Sequence, residues 1–280
     1  IVNSIEEIKK FVNIHGFPIV LKPVDNSASR GISLLYDLIN IDEYYKYALS
    51  QSSCKQVMVE KYLNGPQVST ESFIVDGKVY NIGFADRNYK DMEKFLPNII
   101  ENGGDLPSIF MSEKHKFQLE EYLEIIAKEL NIKNGVIKGD IVIHNDNLYI
   151  IEFALRLSGG NFSTIEIPES TGVDFLKVAI KLHLNLKIDK DELLIKKNKF
   201  ISLRYKFLED INTQIIKNIS VPNKDDYIIA YKVYLKEGDK IASFKTTNHL
   251  QRISYVISKS NMRDQSIKYA NDFLNKIKFS

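Results

Sequence analysis

One cysteine, Cys54, is all the thiol that 280 residues supply. An internal disulfide is thereby excluded, and the composition fits a reducing compartment. No apolar run approaches the roughly 20 residues that a membrane-crossing helix needs, and no signal peptide opens the chain. A cytoplasmic protein without a membrane partner is therefore expected. A surplus of either charge is missing too. There are 38 basic side chains against 36 acidic ones, a net +2, so bulk electrostatics give no case for a nucleic-acid partner. No internal repeat or low-complexity tract stands out. What is present is ordinary for a globular chain, 44% hydrophobic and 26% charged, and long enough for two or three subdomains. An initiating methionine is also absent: Ile1 runs almost at once into a helix-like pattern, Ser4 to Asn13. A fragment of a longer protein is the expectation.

The order of elements reads as α+β with antiparallel hairpins. Ser4 and Glu7 form a capping-box pattern, and Gly16 ends the first helix. PIVLKP (residues 18–23) is a strand closed by proline, DNSASRG (25–31) a turn-rich loop and ISLLYD a second strand. Residues 42–51 read as a helix and QVMVEKYL (56–63) as a strand. After the turn NGPQ, residues 68–87 form a hairpin turning at Asp76-Gly77. Residues 88–111 have weak periodicity, with Gly103, Gly104 and two prolines, and read mostly as loop. Ser112 to Leu130 is an amphipathic helix with Phe117, Tyr122, Ile125, Ile126 and Leu130 on one side. A loop over 158–171 and a helix from Val173 follow. ISLRYKFL, DYIIAYKVYL and RISYVIS read as strands, and residues 262–278 as a final helix.

The densest chemistry lies in DIVIHNDNLYIIEFALRLSGG, Asp140 to Gly160. It reads as two strands joined by a polar turn of Asn145, Asp146 and Asn147, so that His144 faces Leu148 and Asp140 faces Glu152. Opposed carboxylates about 5 Å apart at Cβ repel. A divalent cation between them would turn the repulsion into a site, with Arg156, Gly159 and Gly160 at hand for phosphate. A solvated hairpin face is the alternative. Against it stands the apolar setting of Glu152, where a lone carboxylate is costly. Upstream, Lys22 ends a strand facing the DNSASRG loop, where it can neutralise phosphate or simply point to water. In VMVEKYLNGPQ, Glu60 to Leu63 can form a hinge against an adenine edge, with Gln67 reaching a ribose hydroxyl. The same residues also suit a plain strand and turn.

In series, PIVLKP, SASRGI, VMVEKYLNGPQVSTE, GVIKGD and IIEFALRLSGG resemble the ATP-grasp superfamily of carboxylate–amine (or –thiol) ligases, over about residues 14 to 184. The resemblance implies an α+β ATP-grasp fold in which a lid (1–62) and a core (63–192) sandwich the nucleotide, with a C-terminal α+β subdomain (193–280). It implies ATP and Mg²⁺ (or Mn²⁺) as cofactors. Lys22 is then the phosphate-binding lid lysine, and Ser29, Arg30 and Gly31 belong to the mobile loop over the triphosphate. Glu60 takes the adenine amino group, Lys61 and Leu63 offer backbone contacts, and Gln67 sits at the ribose. Asp140 and Glu152 are the magnesium carboxylates, and Arg156 steadies the transferred phosphoryl group.

The chain departs from the superfamily pattern in two ways. Glu-x-Asn is usual after the second carboxylate, whereas here the sequence is Glu152-Phe153-Ala154, and alanine cannot ligate. Members also carry a preceding domain with a further phosphate-binding lysine, and this chain starts where the lid would start. N-terminal truncation, and inactivity of the piece as it stands, are therefore expected. The implied reaction is activation of a carboxylate (of an amino acid) to an acyl phosphate, then attack by an amine, both partners being small molecules. Arg87, Gly159, Gly160 and the loop to Thr164 are candidates for the substrate carboxylate, and His249 and Arg252 for the C-terminal side of the pocket. Two other readings compete: a non-catalytic nucleotide-binding module, and a carboxylase or carbamoyl-phosphate-type synthase using bicarbonate. Substrate identity and oligomeric state, a homodimer included, are left open.

Overall fold

The computed structural model describes residues 1–280. Its strands form a three-stranded sheet, an eight-stranded sheet and a two-stranded ribbon. In the smaller unit, the Ser4 hydroxyl accepts from the Glu7 amide at 3.3 Å and opens α1 (Ile5–His15). Gly16 ends the helix at φ 71°, a conformation in which a Cβ is costly. Strands β1 (Ile19–Pro23), β2 (Ser33–Leu35) and β3 (Val57–Lys61) pair antiparallel in the order β2-β1-β3. Strand alternation puts Ile19, Leu21, Val57 and Val59 in one core with Ile8 of α1 and Ala48 of α2 (Ile41–Ser50). Val20, Lys22, Met58 and Glu60 are left on the open face. This cluster draws no member from beyond residue 59.

The larger unit begins with the hairpin β4 (Gln67–Val75) and β5 (Lys78–Asn88), turning at Asp76-Gly77 as expected. It continues through β6 (Gly103–Leu106), α3 (Glu113–Glu129), β7 (Gly135–His144) and β8 (Asn147–Ala154). Helices α4 (Ile167–Thr171) and α5 (Phe175–His183) precede β9 (Phe200–Lys206), β10 (Ile219–Ser220) and β11 (Ile228–Val233). β12 (Ser254–Ser260), α6 (Arg263–Lys276) and β13 (Lys278–Phe279) complete the chain. The large sheet is antiparallel in the order β11-β12-β9-β6-β5-β4-β7-β8, and β10 pairs with β13. Both of its faces are covered: Phe73 packs with Phe175 and Val178 of α5, whereas neighbouring Ile74 packs with Leu119 and Leu123 of α3.

Four local expectations are corrected. Residues 88–111 are not mostly loop, because β6 lies inside the sheet between β5 and β9. The strand escapes a hydrophobicity pattern because glycines build half of it. At Gly103 a Cβ would lie 1.9 Å from the Leu203 carbonyl oxygen, so the close approach of the neighbouring strand demands glycine. In α3 the buried stripe is His115, Leu119, Leu123 and Ala127. Phe117, Tyr122, Ile125 and Leu130 are exposed, Phe117 by 62%, and Ile126 is half-buried. A helix laid on a sheet buries one narrow i, i+4 line, and the wider apolar set straddles it. The 158–171 segment contains a π-turn (Phe162–Glu166) and α4 rather than loop alone.

The fourth correction concerns the acidic hairpin. Its turn has two residues, Asn145 and Asp146, at φ 50° and 58°, a left-handed pair that Asn and Asp tolerate. His144 therefore faces Asn147, not Leu148. Ile151 then bulges out of β8, and the slip is undone: Asp140 does face Glu152.

Candidate active site

A cavity of about 950 Å³ separates the open face of the small sheet from the large sheet. Lys22, Ser29, Glu60, Lys61 and Leu63 line it from the lid side. Gln67, Arg87, Asp140 and Glu152 line it from the large sheet, and Arg156, Gly159 and Gly160 from the loop after β8. Arg30 and Gly31 are not brought onto it. The Arg30 guanidinium turns back onto the Ser27 carbonyl and hydroxyl at 3.2 and 3.4 Å. Gly31 faces Gln51 and Pro23. On the lid, Lys22 and Glu60 project from neighbouring strands and pair at 2.6 Å.

Opposite them, the large sheet carries a closed network of charge. Asp140 is buried on its strand, and the Ser69 hydroxyl donates to its Oδ1 at 3.0 Å. Its Oδ2 receives Arg87 at 3.0 Å and also Lys138. Lys138 reaches Glu152 as well, at 3.2 Å, so one ammonium bridges the two facing carboxylates. Arg87 pairs further with Glu101 at 2.7 Å, and Arg252 approaches Glu101 at 3.9 Å. Burial by itself would raise the Asp140 pKa. Arg87 first, then Lys138 and the Ser69 hydroxyl, hold it below its ordinary value. Lys138 was not singled out from sequence. The signal was there, since it lies two residues from Asp140 on the same strand face and directly across from Ala154.

The loop after β8 is tied down by a second unforeseen residue. Glu71 is fully buried; it accepts from the Ser158 amide at 2.8 Å and the Ser163 hydroxyl at 2.7 Å. Burial raises its pKa, against the hydrogen bonds from Ser163 and Ser158. The Arg156 guanidinium donates to the Leu157 carbonyl at 3.0 Å and meets no carboxylate. Gly160 lies under the Tyr205 hydroxyl, which a Cβ there would meet at 2.9 Å.

The C-terminal strands close the far end. His249 donates its backbone N–H to the Ala28 carbonyl at 2.9 Å. Its Nε2 accepts from the Glu101 amide at 3.2 Å and lies 3.3 Å from the Ser29 hydroxyl. Burial, with Arg252, Arg87 and Lys138 nearby, pushes its pKa well below the usual histidine value, which keeps Nε2 free to accept. Arg252 stacks over the Tyr205 ring at 3.6 Å. Glu166, 2% exposed, has its pKa raised well above the ordinary value. The causes are burial and then Glu101, Asp105 and Glu71, opposed by Arg204.

Asp140 and Glu152 offer two hard oxygen donors, Ala154 adds none, and no group of three or more His, Cys, Asp or Glu side chains assembles around them. Mg²⁺ takes one or two carboxylates and completes its shell with phosphate and water. The donor set fits one such ion arriving with a nucleotide, provided the Lys138 ammonium withdraws from between the carboxylates.

A family model, "Carbamoyl-phosphate synthase L chain, ATP binding domain", matches residues 1–191. The carbamoyl phosphate synthase large chain of Caldanaerobacter subterraneus subsp. tengcongensis is 26% identical over 200 residues, 66% of this chain and 16% of that protein. The Sulfolobus acidocaldarius large chain is 29% identical over 163 residues, 55% and 14% of the two. The chain thus spans about a sixth of the length of the curated relatives it matches. Among solved structures, an L-amino acid ligase from Bacillus licheniformis superposes with a TM-score of 0.75 at 14% identity, over 94% of this chain and 63% of that one. The biotin carboxylase domain dimer of the Hydrogenobacter thermophilus 2-oxoglutarate carboxylase, in complex with MgADP, ADP and bicarbonate, gives 0.72 at 19% identity, over 100% and 61%. These likenesses carry the fold, an α+β ATP-grasp architecture. No helix is long and apolar enough to cross a membrane.

Proposed function

The chain belongs to the carbamoyl-phosphate synthase L chain ATP-binding domain family, within the ATP-grasp superfamily, and on that premise we propose that it serves an ATP- and Mg²⁺-dependent carboxylate–amine ligase. In that reaction the substrate carboxylate attacks the γ-phosphorus, ADP leaves, and an amine displaces phosphate from the acyl phosphate. The observation that carries the reading is one cavity lined by Lys22 and Glu60 from the lid and by Asp140, Glu152 and Arg156 from the core. In this reading residues 1–62 act as the lid, 63–192 as the core, and 193–280 complete the substrate side. Glu60, the Lys61 and Leu63 backbone and Gln67 receive the nucleoside, and Ser29 the phosphates.

Phosphoryl transfer asks the protein for position and charge more than for covalent chemistry. Lys22 neutralises phosphate from above and Arg156 from below, and Arg156 is free to do so because no carboxylate holds it. Mg²⁺, which Asp140 and Glu152 would hold, would supply further neutralisation of the transferred charge. The docked lid loop excludes water, which protects an acyl phosphate from hydrolysis. A reducing, cytoplasmic setting accords with the single free Cys54, and the substrates in this reading are small molecules. A homodimer is the assembly offered by analogy with the carboxylase domain.

A second reading has its own support. The family model and the curated relatives are carbamoyl phosphate synthase chains, which favours bicarbonate as the carboxylate activated. ADP release from ATP by the intact protein separates the two. Dependence on individual amino acids supports the ligase. Bicarbonate-dependent turnover indifferent to amino acids moves the assignment to the second reading. ATP binding with no substrate-dependent ADP release leaves a non-catalytic module.

A further inference from the structure

At the inner end of the cavity lies a carboxyl group with no partner. Glu166 lines the cavity yet is only 2% exposed. The carboxylates around it each have an ion pair or a hydrogen bond. Asp105 is paired with Arg204 at 3.0 Å, Asp86 with Arg263 at 2.6 Å and Glu101 with Arg87 at 2.7 Å. Glu71 is satisfied by Ser163 and the Ser158 amide. Glu166 alone has neither an ion pair nor a hydrogen bond on its side chain, and the Arg204 charge near it is already committed to Asp105. Buried polar groups are rarely left so, and burial, with Glu101, Asp105 and Glu71 nearby, favours the neutral acid until a cation is brought to it.

Two further residues that line the cavity carry unsatisfied atoms: the Arg252 Nε and the Ser158 Oγ are buried without partners. Tyr205 stands between the two signs of charge: Arg252 lies over its ring at 3.6 Å, and its hydroxyl feels Glu166 as well as Arg252. An acceptor on one side and donors on the other, all facing one space, describe the imprint of a zwitterion. We propose that this end of the cavity seats an α-amino acid, with Glu166 receiving its ammonium group and Arg252 with Ser158 its carboxylate.

The proposal rests on the ligase reading and specifies its substrate class. The ammonium neutralises the one carboxyl that the protein leaves uncompensated. The same geometry discriminates: an acid lacking the amino group leaves Glu166 buried among Glu71, Glu101 and Asp105 with nothing gained.

The test uses the full chain with MgADP bound. Each of the twenty common L-amino acids is titrated calorimetrically, and each binder is compared with its des-amino acid, for example phenylalanine with 3-phenylpropionate. At least one amino acid is expected to bind, and its des-amino partner about tenfold or more weaker, the worth of one charge-assisted hydrogen bond. In Glu166→Gln that preference is expected to vanish, while MgADP affinity stays within about twofold and the melting temperature does not fall. The proposal is overturned if no amino acid binds, if the des-amino acid binds equally, or if Glu166→Gln keeps the preference. Its fate separates from that of the ligase reading. Amino acids that bind through Glu166 without releasing ADP from ATP leave the subsite standing and the ligase reading lost. ADP release driven equally by acids without an amino group does the reverse.

Discussion

Lys138 shares a strand face with Asp140 and stands across from Ala154, so its ammonium fills a gap that a ligating side chain at position 154 would narrow. Alternation along a strand makes that placement legible from sequence. The role of Lys138 is not legible in the same way, because a lysine on a strand face most often points to water. The facing of Asp140 and Glu152 was legible, but through two compensating terms. The turn is one residue shorter than read, and the bulge at Ile151 restores the register. Bulges have no periodic signature, so the pairing could be inferred but its geometry could not. Lys138→Met tests what the ammonium does. With it gone, two carboxylates face each other with only Arg87 to compensate, and stability should fall by roughly 1–3 kcal/mol. Millimolar Mg²⁺ or Mn²⁺ without nucleotide should then raise the melting temperature of the variant, as binding to the native state must, and leave the wild type almost unmoved. A variant whose melting ignores both ions would show that the pair cannot hold a dication.

Elements with a strong local period were read correctly, and those defined by their neighbours were not. The lid strands and the β4–β5 hairpin carry their own alternation and turn, and α6 buries Ser266, Ala270, Phe273 and Leu274 at helical spacing. β6 is a strand because β5 and β9 flank it, and its Gly103 and Gly104 erase the apolar signal. The buried line of α3 likewise depends on which sheet face it meets. The loop between β1 and β2 belongs to the same class. Nothing in DNSASRG announces a partner, yet Ala28 and Ser29, at φ 58° and 57°, are held down by His249 from 220 residues away. His249→Ala should loosen that loop by removing the imidazole from Ser29 and the Glu101 amide, while the residue-249 backbone N–H keeps its bond to the Ala28 carbonyl. Amide hydrogen exchange over residues 25–31 should speed up by about tenfold or more, since docked loops owe their protection to a few such contacts. Affinity for MgADP should drop with it, while exchange in β4 and β7 stays as it was. Unchanged exchange over 25–31 would mean that the imidazole does not hold the loop, which is then kept in place by the backbone bond to Ala28 and by its own turns, such as the Arg30 contacts with Ser27.

At the scale of the molecule, the part least legible in the sequence is how residues 193–280 join the rest. The change of texture after the charged DKDELLIKKNK segment reads as a boundary, and the family model also stops at residue 191. Hydrogen bonding crosses that line. β9 pairs with β6, so β9, β12 and β11 extend the sheet that β4, β5, β7 and β8 begin. Arg204 of β9 lies buried against Asp105 of β6, and Leu203, Tyr205 and Ile257 share one apolar cluster with Phe73 and Phe175. Texture along a chain reports local composition and solvent exposure, whereas sheet order is set by pairings between distant residues, which leave no local trace. A piece ending at residue 193 would expose β6 as an edge and strip Leu203 and Ile257 from the shared apolar cluster, a loss of roughly 1.5–3 kcal/mol for each of these side chains. That is a large part of the stability of an ordinary domain. Residues 1–193 expressed alone should therefore fail to melt cooperatively and should be degraded by protease throughout β4 to β8, while the lid, which owns a separate core, resists longest. Cooperative melting of that piece, with β4 to β8 resisting protease, would mean that the C-terminal block is an appendage to the sheet rather than a part of it.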